Sequence, residues 1–310
     1  MSRVASIDIG TQTIRLLVAD LEAGAVIPVL RDRAIVRLGA GMAAENKLHQ
    51  DSMERALSCI CNFVNCARQK GAEQIYAVAT ACVREAVNGR QFLDTVKHQA
   101  GISVRLVSGE EEAILSCRGV LSVFSNLSNQ SLIIDIGGGS TELILSSNQS
   151  VNCTESIPIG VVSLTEQFLL HDPPLDAELS AMNLAIRSTF LTKSAIVNTL
   201  KNDNTKNILL IGTAGTVTTL AAIDLKLIDY DIDKVNKYIL FANNLKYHYN
   251  NIVSIPLVER AKLPGLEPGR EIVIISGTAV LLTLMDLLGA QELSVSDAGL
   301  LEGILMEKVG

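Results

Sequence analysis

The sequence states one phrase twice. Residues 6–18 read SIDIGTQTIRLLV and residues 132–145 read LIIDIGGGSTELIL: an apolar run carrying one Asp, a Gly two places later, and a second apolar run. Runs rich in Ile, Val and Leu that break at Gly and resume within a few residues have the pattern of two antiparallel strands joined by a tight turn. A lone hairpin cannot bury its own faces, so each copy has to open a larger sheet. Two such openings predict two domains, each presenting an Asp-x-Gly turn, facing each other across a cleft. The backbone N–H groups of such turns suit a phosphate.

The rest of the chain fits an α/β alternation. Strands are expected at 3–9, 13–19, 26–30, 74–79 and 102–107. Apolar residues at 53, 56, 57, 60, 63, 64 and 67 recur at helical spacing, with Asp51 as N-cap and Gly71 as stop. The polar stretch SNLSNQ at 125–130 marks the boundary between a domain over 1–124 and one over 125–310. The second domain is expected to hold a helix at 176–200, a strand at 207–211, a helix from 214, a rigid Pro/Gly loop at 256–269, a strand at 291–295 and a helix from 297. Residues 272–289 read either way, with β-branched content favouring a strand and length favouring a helix.

Composition removes several classes of function. A net charge of −7 argues against general nucleic-acid binding, which needs a basic face. Mean hydropathy is high at +0.33, yet the greasiest run, Ile272–Met285, falls short of the roughly 20 apolar residues of a membrane span. The N-terminus carries Asp8 in its first apolar run and lacks the basic start of a signal peptide, so a cytoplasmic protein is expected. Six cysteines at 59, 61, 66, 82, 117 and 153 show no CxxC pair and no zinc spacing, and are read as small buried hydrophobes.

Chemistry concentrates in four stretches. Gly137, Gly138 and Gly139, followed by Ser140 and Thr141, offer amide and hydroxyl donors to a phosphate. Asp135 before them needs a cation if buried; Mg2+ fits, with Glu142 as a second oxygen ligand. The alternative is an ordinary glycine hairpin whose Asp bonds to turn amides. The first copy offers Asp8, Gly10, Thr11 and Thr13 in the equivalent places. The run IGTAGTVTT at 211–219 leads from a strand into a helix, so Gly212, Thr213, Gly215 and Thr216 present a helix N-terminus to an anion. In SGEEEA at 108–113, Ser108 and Glu111 form a capping box and helix-dipole preference accounts for Glu110, whereas Glu112 lies on another helical face and is placed to deprotonate a water. Arg84, in VATACVREA, is either a solvated helix-start residue or a phosphate clamp. Arg31, Arg33 and Arg37 are either a solvated edge or a guide for a polyanion.

Taken together, SIDIGTQTIRLLV, VRLGAGM, VATACVREA, VRLVSGEEEA, LIIDIGGGSTELIL, IPIGVVSLTE, LIGTAGTVTTLAA and LSVSDAGLLEGIL resemble the exopolyphosphatase and guanosine pentaphosphate phosphohydrolase (Ppx/GppA) family, in family order and over nearly the whole chain. The resemblance implies the two-domain fold of the acetate kinase, sugar kinase, Hsp70 and actin superfamily, with a ribonuclease H-like motif, an interdomain cleft, and a final helix at 297–310 completing the first domain. It implies a hydrolase acting on inorganic polyphosphate or guanosine pentaphosphate (pppGpp), with Glu112 as general base. Asp135, Glu142 and Asp8 would hold Mg2+. Phosphates would be gripped by Thr11, Gln12, Thr13, Arg84, Gly137–Thr141 and Gly212, Thr213, Gly215 and Thr216. Relatives are often dimers. Two departures stand out: Gln12 where relatives usually have Asn, and Leu301 where they usually have Arg. A kinase of the same superfamily and a non-catalytic polyphosphate or nucleotide sensor are the competing expectations.

Overall fold

The computed structural model describes residues 2–22, 25–42, 46–124, 130–147, 150–202 and 208–308. The chain divides into two compact units, Met1–Ser122 with Ala298–Gly310, and Val123–Asp297. Of the stretch read as the boundary, only Gln130 lies within the described residues.

The first unit opens with the meander β1 (Ser2–Ile9), β2 (Thr13–Glu22) and β3 (Ala25–Ile35), antiparallel throughout. Helix α1 (Gln50–Gln69) crosses over to β4 (Gln74–Ala79), parallel to β1; α2 (Ala81–Glu85) and α3 (Gly89–Ala100) lead to β5 (Val104–Leu106), parallel to β4; α4 (Gly109–Val123) follows. The strand order is β3-β2-β1-β4-β5. Strands β1 and β2 are buried on both faces, which is why they read as continuous apolar runs. Ile7, Ile9, Ile14 and Leu16 pack with Ile60, Phe63 and Phe92 from the helices. The cap of α1 is His49, not Asp51, which lies within the first turn.

The second unit repeats the plan. Strands β6 (Ser131–Ile136), β7 (Thr141–Ser147) and β8 (Ser150–Ile157) form the meander, followed by α5 (Val161–Phe168), α6 (Asp176–Lys193) and α7 (Ala195–Asn202). Then come β9 (Leu209–Thr213), α8 (Ala214–Asp224), α9 (Ile232–Val235), β10 (Ile239–Phe241), α10 (Ala242–Ser254), α11 (Leu257–Arg260), α12 (Ile274–Leu287) and β11 (Glu292–Val295). The order β8-β7-β6-β9-β11, with β10 added antiparallel at the edge, matches the first sheet strand for strand. This is the duplicated architecture of the acetate and sugar kinase, Hsp70 and actin type.

Several expectations change here. The helix foreseen over 176–200 is two helices, because the Glu155 carboxylate accepts the amides of Ala195 and Ile196 at 2.9 and 3.0 Å and so starts α7 afresh. Residues 274–287 are helical and almost wholly buried in the second core. The loop at 256–269 contains the short helix α11. Cys153 is exposed on β8 and Cys59, Cys61 and Cys66 are half-buried, so only Cys82 and Cys117 match the buried reading. No described helix is long and apolar enough to cross a membrane.

The chain ends in α13 (Leu300–Met306), which returns to the first unit. Leu301 and Leu305 pack on Val4, Leu17 and Ala19, and Leu300 and Ile304 on Val78, Val107 and Leu115. Glycine is required at this crossing: a Cβ on Gly119 would lie 1.8 Å from the Gly299 carbonyl oxygen, and one on Gly303 would lie 1.8 Å from that of Leu115. Arg31 Nη1 meets Glu302 Oε1 at 2.5 Å, so this arginine ties β3 to α13. The apolar residue at 301 suits its place, since it is buried in the sheet-facing side of α13.

Candidate functional site

Each unit gathers its polar residues at the carboxyl ends of its parallel strands, the place where open α/β sheets bind ligands. In the first unit Asp8 stands near the end of β1 and faces Arg15 across the hairpin. Arg15 Nε and Nη2 donate to Asp8 Oδ2 at 2.9 and 2.7 Å. Asp8 is buried, and its Oδ1 has no hydrogen-bond partner.

The turn that follows closes through Gly10 N to Thr13 O at 3.1 Å, and its carbonyls are taken up from behind. Thr11 O accepts from Gly39 N, while Gln12 O accepts from both Val36 N and Arg37 N, each at 3.0 Å. Thr11, Gln12 and Thr13 are all buried. A Cβ on Gly39 would lie 2.4 Å from Thr11 Cγ2, so any larger residue there would displace the Thr11 side chain. Arg37 holds a left-handed backbone with φ of 53°, a strained choice for a residue with a side chain. Cys82 packs beneath this turn, and burial pushes its thiol up to about 12, which keeps it protonated.

The next two strand ends bring Arg84 and Glu112 together. Val107 N bonds to Ala79 O at 3.1 Å, aligning the segments after β4 and β5. Arg84 Nη1 donates to Val107 O at 2.9 Å and lies 3.4 Å from Glu112 Oε2. The capping box is present: Glu111 N donates to Ser108 Oγ at 3.1 Å, and Ser108 N to Glu111 Oε2 at 2.8 Å. Glu111 is thereby committed to the helix end, while Glu112, one residue on, turns to Arg84.

The second unit builds the same turn. Gly137 N bonds to Ser140 O at 2.9 Å, and the carbonyls of Gly137 and Gly138 accept from Val161 N and Val162 N at 3.1 and 3.0 Å. A Cβ on Gly10 or Gly137 would meet the oxygen at the same place in each turn, Thr13 O at 2.9 Å or Ser140 O at 3.0 Å. Gly160 plays the part of Gly39: a Cβ there would lie 2.2 Å from Gly138 O. Thus VRLGAGM and IPIGVVS are also counterparts, a likeness that sequence reading alone leaves unnoticed.

Asp135 lies opposite Glu142 on β7 and beside Thr213 on β9, so three polar side chains share one face of the sheet. Glu142 is fully buried, and its Oε1 accepts from Ser140 Oγ at 2.6 Å and Ser156 Oγ at 2.8 Å. Thr141 donates its hydroxyl to Ile159 O at 2.7 Å, which commits it to the fold. Among the described residues no three His, Cys, Asp or Glu side chains converge as a metal cage. A pair of carboxylates nevertheless fits Mg2+, which keeps several waters and takes its other ligands from phosphates.

At the start of α8, Thr213 is the N-cap and Ala214 adopts φ of 64°. A Cβ on Gly215 would lie 1.9 Å from Arg270 Nη2, so the guanidinium rests directly on this loop. Arg270 is buried and its Nε donates to Glu267 Oε2 at 2.8 Å. Sequence reasoning passed over both residues. The available signal was an arginine between Gly269 and an apolar helix, where solvation is hard to maintain.

The sequence profile of the Ppx/GppA phosphatase family matches residues 17–310. Exopolyphosphatase 2 of Mycobacterium tuberculosis is 30% identical over 323 residues, covering 100% of this chain and 99% of the relative. The bifunctional 3-dehydroquinate synthase/phosphatase of Fusobacterium nucleatum is 31% identical over 98% of this chain, which spans 46% of that protein, about half its length. The crystal structure of the Aquifex aeolicus member of the Ppx/GppA family superposes with a TM-score of 0.81 at 30% identity, covering 99% of this chain and 97% of that one.

Proposed function

Since the chain belongs to the Ppx/GppA phosphatase family, we propose that it is a Mg2+-dependent phosphohydrolase that releases terminal orthophosphate from inorganic polyphosphate or from guanosine pentaphosphate. The observation that carries this reading is the meeting of Arg84 and Glu112 at adjacent strand ends, 28 positions apart in sequence. A carboxylate beside a cation suited to phosphate is the arrangement that water attack on phosphorus needs.

In this reading Glu112 takes a proton from water as the water oxygen bonds to the terminal phosphorus. The bond from phosphorus to the bridging oxygen breaks, and that oxygen leaves on the shortened chain. Arg84 holds a phosphoryl oxygen through N–H groups other than those on Val107. The turn at Thr11–Thr13, the turn at Gly137–Thr141 and the α8 N-terminus from Gly212 to Thr216 supply further donors, and Arg270 adds a cation to the last of these. Asp135 and Glu142 hold Mg2+, which when bound supplies positive charge to the phosphoryl oxygens. Asp8 stands at the end of β1, beside the first of these turns. A cytoplasmic location and a homodimer complete the reading.

The test is orthophosphate release from polyphosphate and from guanosine pentaphosphate in the presence of Mg2+. Glu112→Gln should bind polyphosphate normally and lose about a hundredfold or more in rate. Parental release by that variant would remove Glu112 from the mechanism.

A further inference from the structure

The two hairpins are alike in backbone and unlike in charge. Arg15 faces Asp8, whereas Glu142 faces Asp135. In the first hairpin Arg15 Nε and Nη2 converge on one oxygen, Oδ2, while the buried Oδ1 is without a hydrogen bond. The far end of the same strand pair provides a contrast. There Arg3 faces Asp20 and binds it fork to fork, Nε on Oδ1 at 2.8 Å and Nη2 on Oδ2 at 2.9 Å, using both oxygens. An arginine present only to staple the strands has that geometry available; Arg15 does not adopt it.

A carboxylate already neutralised by a guanidinium is a poor ligand for a hard dication, because the metal would sit beside a fixed positive charge. It remains a strong acceptor for a neutral donor, and burial makes an unfilled acceptor costly. The pair is largely sequestered, with side-chain exposures of 25% for Arg15 and 4% for Asp8, so solvent does little to screen it.

We propose that Arg15 is a positioning residue that holds Asp8 as a buried, net-neutral anchor of the phosphate turn rather than as a metal ligand. Asp8 so held fixes the end of β1 where the phosphate turn begins, and metal affinity resides in Asp135 and Glu142. The inference rests on the phosphohydrolase reading above and divides its labour between the two hairpins.

Mn2+ binding followed by electron paramagnetic resonance, with melting curves and polyphosphate hydrolysis at saturating Mg2+, separates the roles. Asp135→Asn should weaken Mn2+ binding about tenfold or more, while Asp8→Asn leaves it within about twofold and lowers kcat about ten- to a hundredfold at unchanged KM. Arg15→Leu restores a bare charge to Asp8, so it should lose kcat to a similar degree and bind an additional Mn2+. Arg15→Lys should recover part of kcat and gain no additional Mn2+; if Arg15→Leu fails to fold, this variant and Asp8→Asn decide the matter. Loss of Mn2+ binding in Asp8→Asn equal to that in Asp135→Asn overturns the proposal while leaving the Glu112→Gln outcome untouched. Unchanged Mn2+ binding in Asp135→Asn also overturns it. Parental hydrolysis by Glu112→Gln strikes the phosphohydrolase mechanism without altering the Mn2+ comparison.

Discussion

Arg84 Nη1 donates to the Val107 carbonyl at 2.9 Å and stands 3.4 Å from Glu112 Oε2. The second distance exceeds the 2.7–2.9 Å of a tight charge-assisted bond. Arg84 is therefore anchored by backbone and only leans towards the acid, so its remaining N–H groups can turn to a phosphate without releasing Glu112. Arg84→Ala should lower kcat/KM for polyphosphate about ten- to a hundredfold, the loss expected for one charged hydrogen bond. Arg84→Lys should recover little, because one ammonium cannot hold Val107 and a phosphate in a fixed fork. Steady-state kinetics on both variants checks this, and near-parental kcat/KM in Arg84→Ala would detach the residue from substrate.

Gly160 supports the triple-glycine turn from outside it. An added Cβ meets Gly138 O at 2.2 Å and backbone carbons of Gly138 and Gly139 at 2.4 Å, with no flexible side chain to give way. Gly160→Ala should cost about 1–3 kcal/mol of stability by overpacking and should lower orthophosphate release through displacement of the turn. Denaturant melts and the phosphate assay report the two effects separately. A variant as stable and as active as the parent would show that the turn tolerates movement.

What the sequence made legible follows from locality. Both hairpins, the Ser108–Glu111 box and the strand-to-helix loop at 211–216 are set by residues within a few positions of one another. What escaped depends on register or on distant packing. Arg15 sits inside a phrase read from the start, yet its bond to Asp8 follows from which residue faces which across the strands. Arg270 reaches Gly215 from beyond the loop at 256–269, a contact with no local signature. Residues 272–289 stayed ambiguous because α12 is buried on nearly every side, which erases the amphipathic period that would identify a helix. Glu155 divides α6 from α7 from a neighbouring strand, where sequence offers only an isolated acid.

The opposite end of α8 controls stability against pH through one carboxylate. Burial alone would raise the Asp224 carboxyl, but hydrogen bonds from His248, Asn244 and Tyr238 outweigh it and hold it below the usual carboxylate range. A carboxyl depressed by folding contributes stability that is complete above its unfolded value of about 3.9 and is lost as pH falls through the folded value. Tyr238 behaves in the opposite sense. Burial and its bond to Asp224 push the phenol from 10.0 up to about 12, so its contribution is complete below the unfolded value and drains away as pH rises from there towards the folded one. Because the two groups share one hydrogen bond, Tyr238→Phe should abolish the alkaline loss and shrink the acid one, and Asp224→Asn should abolish the acid loss and shrink the alkaline one. Denaturation midpoints followed by circular dichroism from pH 2 to 12, taken as differences from the parent, isolate these groups from the other carboxylates that titrate alongside them. Difference curves that stay flat at both ends in both variants would mean that this contact does not couple protonation to folding.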